Sequence, residues 1–381
     1  MLVGGATSLF APLLPFLRSY LQLTYTEMAL FDSVFFIAYA LFSYSFSIYI
    51  NQYGIKKSLG AGLIIIFTGS LFWIIFLEYY VKFFCLLFAT FIIAIGVVIL
   101  FIVVEYIGLY LNGVKATRKL SYLQGAHGFG AFLAPLLVTC FLYKNNVIII
   151  NSVLPTIKVL FFIVCLIVVA LYVATQRVVF PFICDFSESV ENKMDISIIS
   201  KLWIALFIYV GVEITIGSFI IPIGIGSLHF PLLVVKKFIY IYWLLIIVGR
   251  IIGGYIMRYI NEMYLVCFNV LFCIISMLFV VNIESVFSLY LLSCLGLFNS
   301  ILFPVLYSAA FSYIPSANIK VSGIMATAIS GGAIIPFITG FLSDHFNLRA
   351  SLFSIISCYI FIFILIIKLL FKSSYSRKES H

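Results

Sequence analysis

A chain of 381 residues is long enough for two or three soluble domains, but 65% of these residues are hydrophobic and only 9% are charged. A soluble domain averages about 25% charged residues, so a water-soluble globule and a disordered chain are both excluded, and a multi-span helical membrane protein remains. The formal charge of +9 comes from Lys and Arg scattered through short gaps between apolar runs. That pattern fits basic membrane loops and offers no dense patch for nucleic acid.

A helix needs about 20 apolar residues to cross a bilayer. Twelve such runs lie near 1–17, 28–50, 58–77, 83–111, 120–142, 157–175, 202–226, 238–257, 264–281, 286–311, 322–342 and 350–371. They are too long for barrel strands and do not alternate polar with apolar. The expected fold class is therefore an all-α integral membrane protein with twelve transmembrane helices. The first run begins at Met1 and is a few residues short, so either the first helix is truncated or the true start lies upstream. No basic region precedes it and no clear small-residue cleavage site follows, unlike a signal peptide.

Twelve spans place both termini on one side. The gaps on that side hold Lys56, Lys57, Lys115, Arg118, Lys119, Arg177, Lys193, Lys201, Arg258 and Lys320, and the tail adds Lys372, Arg377 and Lys378. The opposite gaps hold Arg18, Lys82, Lys144, Lys158, Lys236, Lys237 and Arg349. The excess assigns both termini to the cytoplasm. The longest polar stretch, 176–201, carries Asp185, Glu188, Glu191, Lys193 and Asp195. It divides the chain into an N-terminal six-helix bundle at 1–175, a cytoplasmic linker at 176–201, a C-terminal six-helix bundle at 202–371 and a cytoplasmic tail at 372–381.

The halves resemble each other. Gly130 to Pro135 reads GAFLAP in span five, and Gly331 to Pro336 reads GGAIIP in span eleven. Ile48 to Tyr53 reads IYINQY at the end of span two, and Gly254 to Tyr259 reads GYIMRY at the end of span eight. The nearly equal offsets point to two six-helix pseudo-repeats, the arrangement of major facilitator transporters, with a site between the halves near the midplane.

A carboxylate inside a bilayer costs about 2.5–3.5 kcal/mol on insertion scales. Three acids call for a reason: Glu105 in span four, Glu213 midway along span seven and Asp32 in the first turns of span two. Glu105 reads as a proton carrier or sugar-hydroxyl acceptor, or as a structural partner for Lys or Arg. Glu213 has Gly211, Gly217 and Ser218 beside it, which also suits close helix packing. Asp32 also suits the outer interface. Arg250, near the cytoplasmic end of span eight, suits either snorkelling or gating by pairing with an acid. Gln124 and His127 lie one helical turn apart in span five, a spacing that puts them on one face. Asn299 in span ten, with Pro304 five residues later, suits a cavity wall or a kink cap. Trp243 is the best aromatic candidate for stacking on a sugar, and equally suits an interfacial anchor. Gly130, Pro135, Pro304, Gly331, Pro336 and Arg250 form the gating and structural set.

No Walker A loop, HExxH or GxSxG string occurs, so no catalytic residues, enzyme activity, metal or cofactor are expected. The cysteines lie mostly in apolar runs and read as packing residues.

Several strings carry a family resemblance. They are YVGVEITIGSF (Tyr209 to Phe219), YWLLIIVGRIIGG (Tyr242 to Gly254), GLFNSILFPVLYS (Gly296 to Ser308) and ISGGAIIPFITGFLSD (Ile329 to Asp344). VEYIG around Glu105 and LQGAHGFGAFLAP (Leu123 to Pro135) add to them in the first half. The chain resembles the fucose–proton symporter and glucose/galactose transporter branch of the major facilitator superfamily, from about span two to span eleven and more strongly in the second half. The resemblance implies that Glu105 is the family's sugar- and proton-linked carboxylate and that Gln124 faces the sugar. The family has Asn where this chain has His127. Its Asn-Asp pair in span one is also missing, since Phe10 and Ala11 precede Leu14-Pro15. Asp32 stands where the family commonly has Gln, and could move the lost carboxylate to another cavity wall.

The expected function is secondary active transport of a monosaccharide such as glucose, galactose or fucose, by proton symport and alternating access. Glu105 and Asp32 would couple protons, while Gln124, His127, Glu213, Asn299 and Trp243 would bind sugar. The protein would be a monomer with both termini cytoplasmic, in a bacterial inner membrane, with sugar, protons and lipid as its partners. The alternatives are a facilitator, an exporter of organic ions or drugs, a decayed carrier serving as receptor or scaffold, and a membrane enzyme.

Overall fold

A bilayer core offers backbone groups no water, so a spanning segment must satisfy its own N–H and C=O groups. The computed structural model describes residues 1–10, 13, 17, 20–23, 25–79, 81–110, 116–144, 147, 148, 150–180, 196–312 and 319–378. These are almost entirely helical. In chain order the helices are α1 (Leu2–Ser8), α2 (Tyr25–Tyr53), α3 (Ile55–Tyr79), α4 (Phe83–Tyr110), α5 (Ala116–Leu142), α6 (Ile150–Arg177), α7 (Ile196–Pro222), α8 (Leu232–Ile256), α9 (Glu262–Asn282), α10 (Val286–Asn299), α11 (Leu302–Ser312), α12 (Ile319–Thr327), α13 (Gly331–His345) and α14 (Leu348–Lys378). A minimal antiparallel ribbon pairs Tyr143–Lys144 with Val147–Ile148 between α5 and α6.

Spans two to twelve are thus helices, with α10 and α11 forming span ten and α12 and α13 forming span eleven. Ten described segments are long and apolar enough to cross a membrane. Span one is described only in part. Span five is α5.

The breaks have local causes. Gly54 adopts φ +80°, a left-handed value that glycine tolerates, and turns the chain from α2 into α3 in one residue. Pro222 ends the regular part of α7, and a π turn follows over Ile223–Ser227. Between α10 and α11 the chain turns at Ser300 and Ile301. Pro304 has no N–H to offer the carbonyl four residues earlier. It therefore sits in the first turn of α11, beside the break.

Packing groups the chain into two units: Met1–Ile107, His127–Val190 and Asn318–Thr327 in the first, and Gly108–Ala126, Glu191–Ala317 and Ala328–His381 in the second. The six-plus-six division at 175 and 202 is one of sequence. By packing, α12 belongs with α2 in the first unit, and the first half of α5 belongs to the second.

Each unit repeats the other's construction. In the first, α3 packs on α6; in the second, α9 packs on α14. Lys158 pairs with Glu78 across the ends of α6 and α3, and Arg349 pairs with Glu284 at 2.6 Å across the matching ends of spans twelve and nine. Gly130 of α5 meets the backbone at Met1, where an added Cβ would stand 2.8 Å from the Met1 Cα. Gly331 of α13 meets α7 in the same way, 2.7 Å from the Phe207 carbonyl carbon. Pro135 and Pro336 follow these glycines inside their helices. GAFLAP and GGAIIP therefore mark the same helix crossing twice.

Candidate functional site

In the first unit the polar and aromatic groups come from α2, α4 and α5. Glu105 on α4 is 2% exposed. Phe101 lies one turn before it, on the same face. Its ring meets Tyr39 of α2 edge-on at 5.3 Å and His127 of α5 edge-on at 6.3 Å. Glu105 and His127 are thus carried by helices whose faces meet around one aromatic ring. The sequence reading did not single out Tyr39 or Phe101. Their signal was there: Phe101 precedes Glu105 by four residues, and α2 is the facing helix.

The second unit holds a denser network. Arg250 of α8 and Glu213 of α7 are both buried, with the guanidinium Nη2 3.4 Å from the carboxylate Oε1. Arg250 Nη1 donates to the Gln124 backbone carbonyl of α5 at 2.8 Å. In return, Ser121 Oγ donates to the Arg250 carbonyl at 2.6 Å. Two hydrogen bonds of opposite sense therefore tie the first half of α5 to α8. Gly125 and Gly254 let the helices approach, since a Cβ on Gly125 would touch Arg250 and one on Gly254 would meet the Tyr122 ring. Arg250 points into protein and does not snorkel, because Glu213 supplies a partner inside the fold.

Glu213 is held further by its helix neighbours. Tyr242 OH donates to the Glu213 carbonyl at 2.9 Å. Tyr209 and Tyr242 both stand within electrostatic reach of Glu213 and Arg250. Gly211 faces Ile335 and the Gly331 carbonyl, and a Cβ added at Gly217 would stand 3.0 Å from the Trp243 indole. The glycines beside Glu213 therefore do serve helix packing. Trp243 is half-buried against α7.

Asn299 closes α10 and is fully buried. It does not cap the break. Its Oδ1 accepts from Tyr359 OH of α14 at 2.7 Å and from the Cys273 thiol of α9 at 3.6 Å, and its side chain also neighbours Tyr242. Asn269 of α9 donates to the Phe298 carbonyl at 2.9 Å, one residue before Asn299. Tyr209, Tyr242 and Tyr359 were not singled out from sequence. Tyr209 lies one turn before Glu213 and Tyr242 two turns before Arg250, and both open strings that carried the family resemblance.

Gln124 is buried and His127 half-buried, one turn apart on α5. Asp32 lies in α2, but its side chain falls outside the described residues, as do Ala11 and Pro15 of span one. Among the described residues no cluster of three or more His, Cys, Asp or Glu could hold a metal, and the cysteines at 85, 165, 267, 273, 294 and 358 are free.

A transporter built from two six-helix repeats is the class that this fold and these buried polar clusters define. The sequence model of the Major Facilitator Superfamily matches residues 1–336, and the chain belongs to that family. A glucose/galactose transporter of Brucella abortus biovar 1 (strain 9-941) is 27% identical over 375 residues, covering 94% of this chain and 89% of the relative. A putative glucose/galactose transporter of Helicobacter pylori (strain ATCC 700392 / 26695) is 28% identical over 354 residues, covering 90% and 86%. Among solved structures, the transporter FucP in its outward conformation matches with a TM-score of 0.82 at 19% identity, covering 96% of this chain and 95% of that one. The proton:xylose symporter XylE matches with a TM-score of 0.72 at 12% identity, covering 96% and 92%.

Proposed function

We propose that this protein is a secondary transporter of a monosaccharide of the glucose, galactose or fucose type, working by alternating access and coupled to protons. The observation that carries the reading is the match, over 94% of the chain, to a relative described as a glucose/galactose transporter. Glu105 supports it, as a carboxylate buried in an otherwise apolar span.

In this reading Glu105 takes and releases the coupled proton, with Asp32 as the second carboxylate. Gln124 and His127 present hydrogen-bonding groups to sugar hydroxyls from one face of α5. Tyr39 and Phe101 supply aromatic surface beside His127. In the second unit Glu213 and Asn299 reach the sugar only through atoms left over from Arg250, Tyr359 and Cys273, so they position the site more than they line it. Trp243 adds aromatic surface from α8. The protein acts as a monomer in a bacterial inner membrane, with both termini cytoplasmic.

The test is uptake of labelled glucose, galactose, fucose and mannose into proteoliposomes, with and without an inward proton gradient. Accumulation above equilibrium that needs the gradient supports symport. Equilibration indifferent to the gradient makes the protein a facilitator. No uptake of any hexose removes the monosaccharide reading.

A further inference from the structure

Of the described carboxylates in the second unit, Glu262, Glu284 and Asp344 stand at helix ends, and Glu213 alone stands inside a span. A buried ion pair offsets its desolvation only with good geometry, typically short and bidentate bonds of about 2.7–2.9 Å. Arg250 Nη2 reaches Glu213 Oε1 through a single contact of 3.4 Å. That is longer than the 2.8 Å from Arg250 Nη1 to the Gln124 carbonyl. Even the pair at the helix ends, Arg349–Glu284, closes to 2.6 Å. The guanidinium is therefore anchored by a neutral carbonyl of α5, and the carboxylate holds it only loosely.

The surroundings of Glu213 suit both of its charge states. Tyr209, one turn earlier on α7, is fully buried, and its hydroxyl has no hydrogen-bond partner among the described residues. It stands within electrostatic reach of Glu213. A hydroxyl donates to a carboxylate and accepts from a carboxylic acid, so Tyr209 can serve either form. Tyr242 OH is already committed to the Glu213 backbone carbonyl. It holds α8 against α7 whatever the Glu213 side chain carries. Water has access as well, since the Glu213 side chain keeps 9% exposure, whereas Tyr209 and Asn299 keep none.

The other helices packed on α7 bring no competing charge to this depth. α10 and α11 contain no charged residue. α13 carries Asp344 and His345 only in its last turn. On α14, Arg349 and Lys368 lie ten and nine residues to either side of Tyr359. Behind Tyr242 stand the Cys273 thiol and the Tyr359 hydroxyl, both turned to Asn299. On α8, Lys236 and Lys237 lie near the start of the helix, far along it from Arg250. Arg250 is thus the charge that sets how tightly Glu213 holds a proton.

We infer that Glu213 is a proton-binding site of the second unit, switching between a loose ion pair with Arg250 and a protonated carboxyl hydrogen-bonded to Tyr209. The proton comes from water and returns to it, and Arg250 keeps its bond to the Gln124 carbonyl in both states. For its part in coupling the site rests on the transport reading above, and it deepens that reading: each unit then carries one protonatable carboxylate inside a span, Glu105 in the first and Glu213 in the second.

The test is infrared difference spectroscopy of the full-length protein in lipid, between alkaline and acid pH, with gradient-driven sugar uptake measured on the same preparation. A protonated-carboxyl C=O band is expected that persists in Glu105→Gln and disappears in Glu213→Gln. Tyr209→Phe, which removes only a hydroxyl, should shift the frequency of that band, and so tests the site even where Glu213→Gln folds poorly. Arg250→Gln should raise the proton affinity read from the band about tenfold to a thousandfold. A spectrum with no band that responds to Glu213→Gln or Tyr209→Phe overturns the site, and sugar uptake that continues regardless leaves the transport reading standing. The band without gradient-driven uptake upholds the site and removes the proton-coupled reading instead.

Discussion

Arg250 and Glu213 stand 3.4 Å apart between α8 and α7, both buried, and the same guanidinium reaches the Gln124 carbonyl of α5. One cation thus links three helices. Removing one member of a buried pair leaves the other charge without compensation, at a cost of about 3–5 kcal/mol. Arg250→Gln or Glu213→Gln alone should therefore lower the thermal midpoint in detergent sharply. Arg250→Gln/Glu213→Gln together should recover much of it, since two neutral amides can bond each other. A double variant no better than the worse single one would mean that the bond to the Gln124 carbonyl, and not the ion pair, carries the stability.

Gly331 and Gly340 lie nine residues apart on α13 and differ in what a methyl group would meet. At Gly331 it would strike the Phe207 backbone, which cannot yield as a flexible side chain can; at Gly340 nothing stands within 4 Å. Gly331→Ala should cost about 1–3 kcal/mol through forced helix separation. Gly340→Ala should be neutral or stabilise by up to about 1 kcal/mol through helix propensity. Gly130→Ala should behave as Gly331→Ala does, because it occupies the same crossing in the other repeat. Thermal denaturation of the three purified variants checks the ranking.

Helix count, repeat and family were legible because each rests on runs of residues. Twelve apolar stretches need no partner to be recognised, and GAFLAP and GGAIIP mark equivalent crossings whatever surrounds them. Pairing was not legible. Arg250 read first as a snorkelling cation and only second as a gate, since nothing local joins it to Glu213, thirty-seven residues earlier. The matched ion pairs Lys158–Glu78 and Arg349–Glu284 were missed for the same reason: they join residues far apart in the chain. Asn299 read as a cavity wall or, because it stands before Pro304, as a kink cap. Its acceptor is instead taken from another helix, by Tyr359.

The Tyr359 hydroxyl donates to Asn299 Oδ1 at 2.7 Å, whereas the Cys273 thiol approaches only to 3.6 Å. A thiol is a weak donor. Tyr359→Phe therefore leaves the buried amide oxygen poorly satisfied, at a cost of about 1–3 kcal/mol. Tyr359→Phe/Asn299→Leu removes both partners and should be less destabilised than Tyr359→Phe alone. The same pair reports on function through the concentration dependence of sugar uptake. If Asn299 only positions its neighbours, the double variant keeps the wild-type KM, whereas a direct sugar contact would raise it.

Glu105→Gln replaces a buried carboxylate with a neutral group of nearly equal shape, and so imitates the protonated state permanently. A carrier that must lose its proton to complete the uphill cycle cannot do so as the amide, but it can still shuttle loaded sugar. Glu105→Gln should therefore retain sugar counterflow between equilibrated compartments while losing accumulation driven by a proton gradient. His127→Asn, tested beside it, removes the imidazole that meets the Phe101 ring and should leave gradient-driven accumulation intact. Accumulation surviving in Glu105→Gln but lost in His127→Asn would transfer the coupling role to the imidazole.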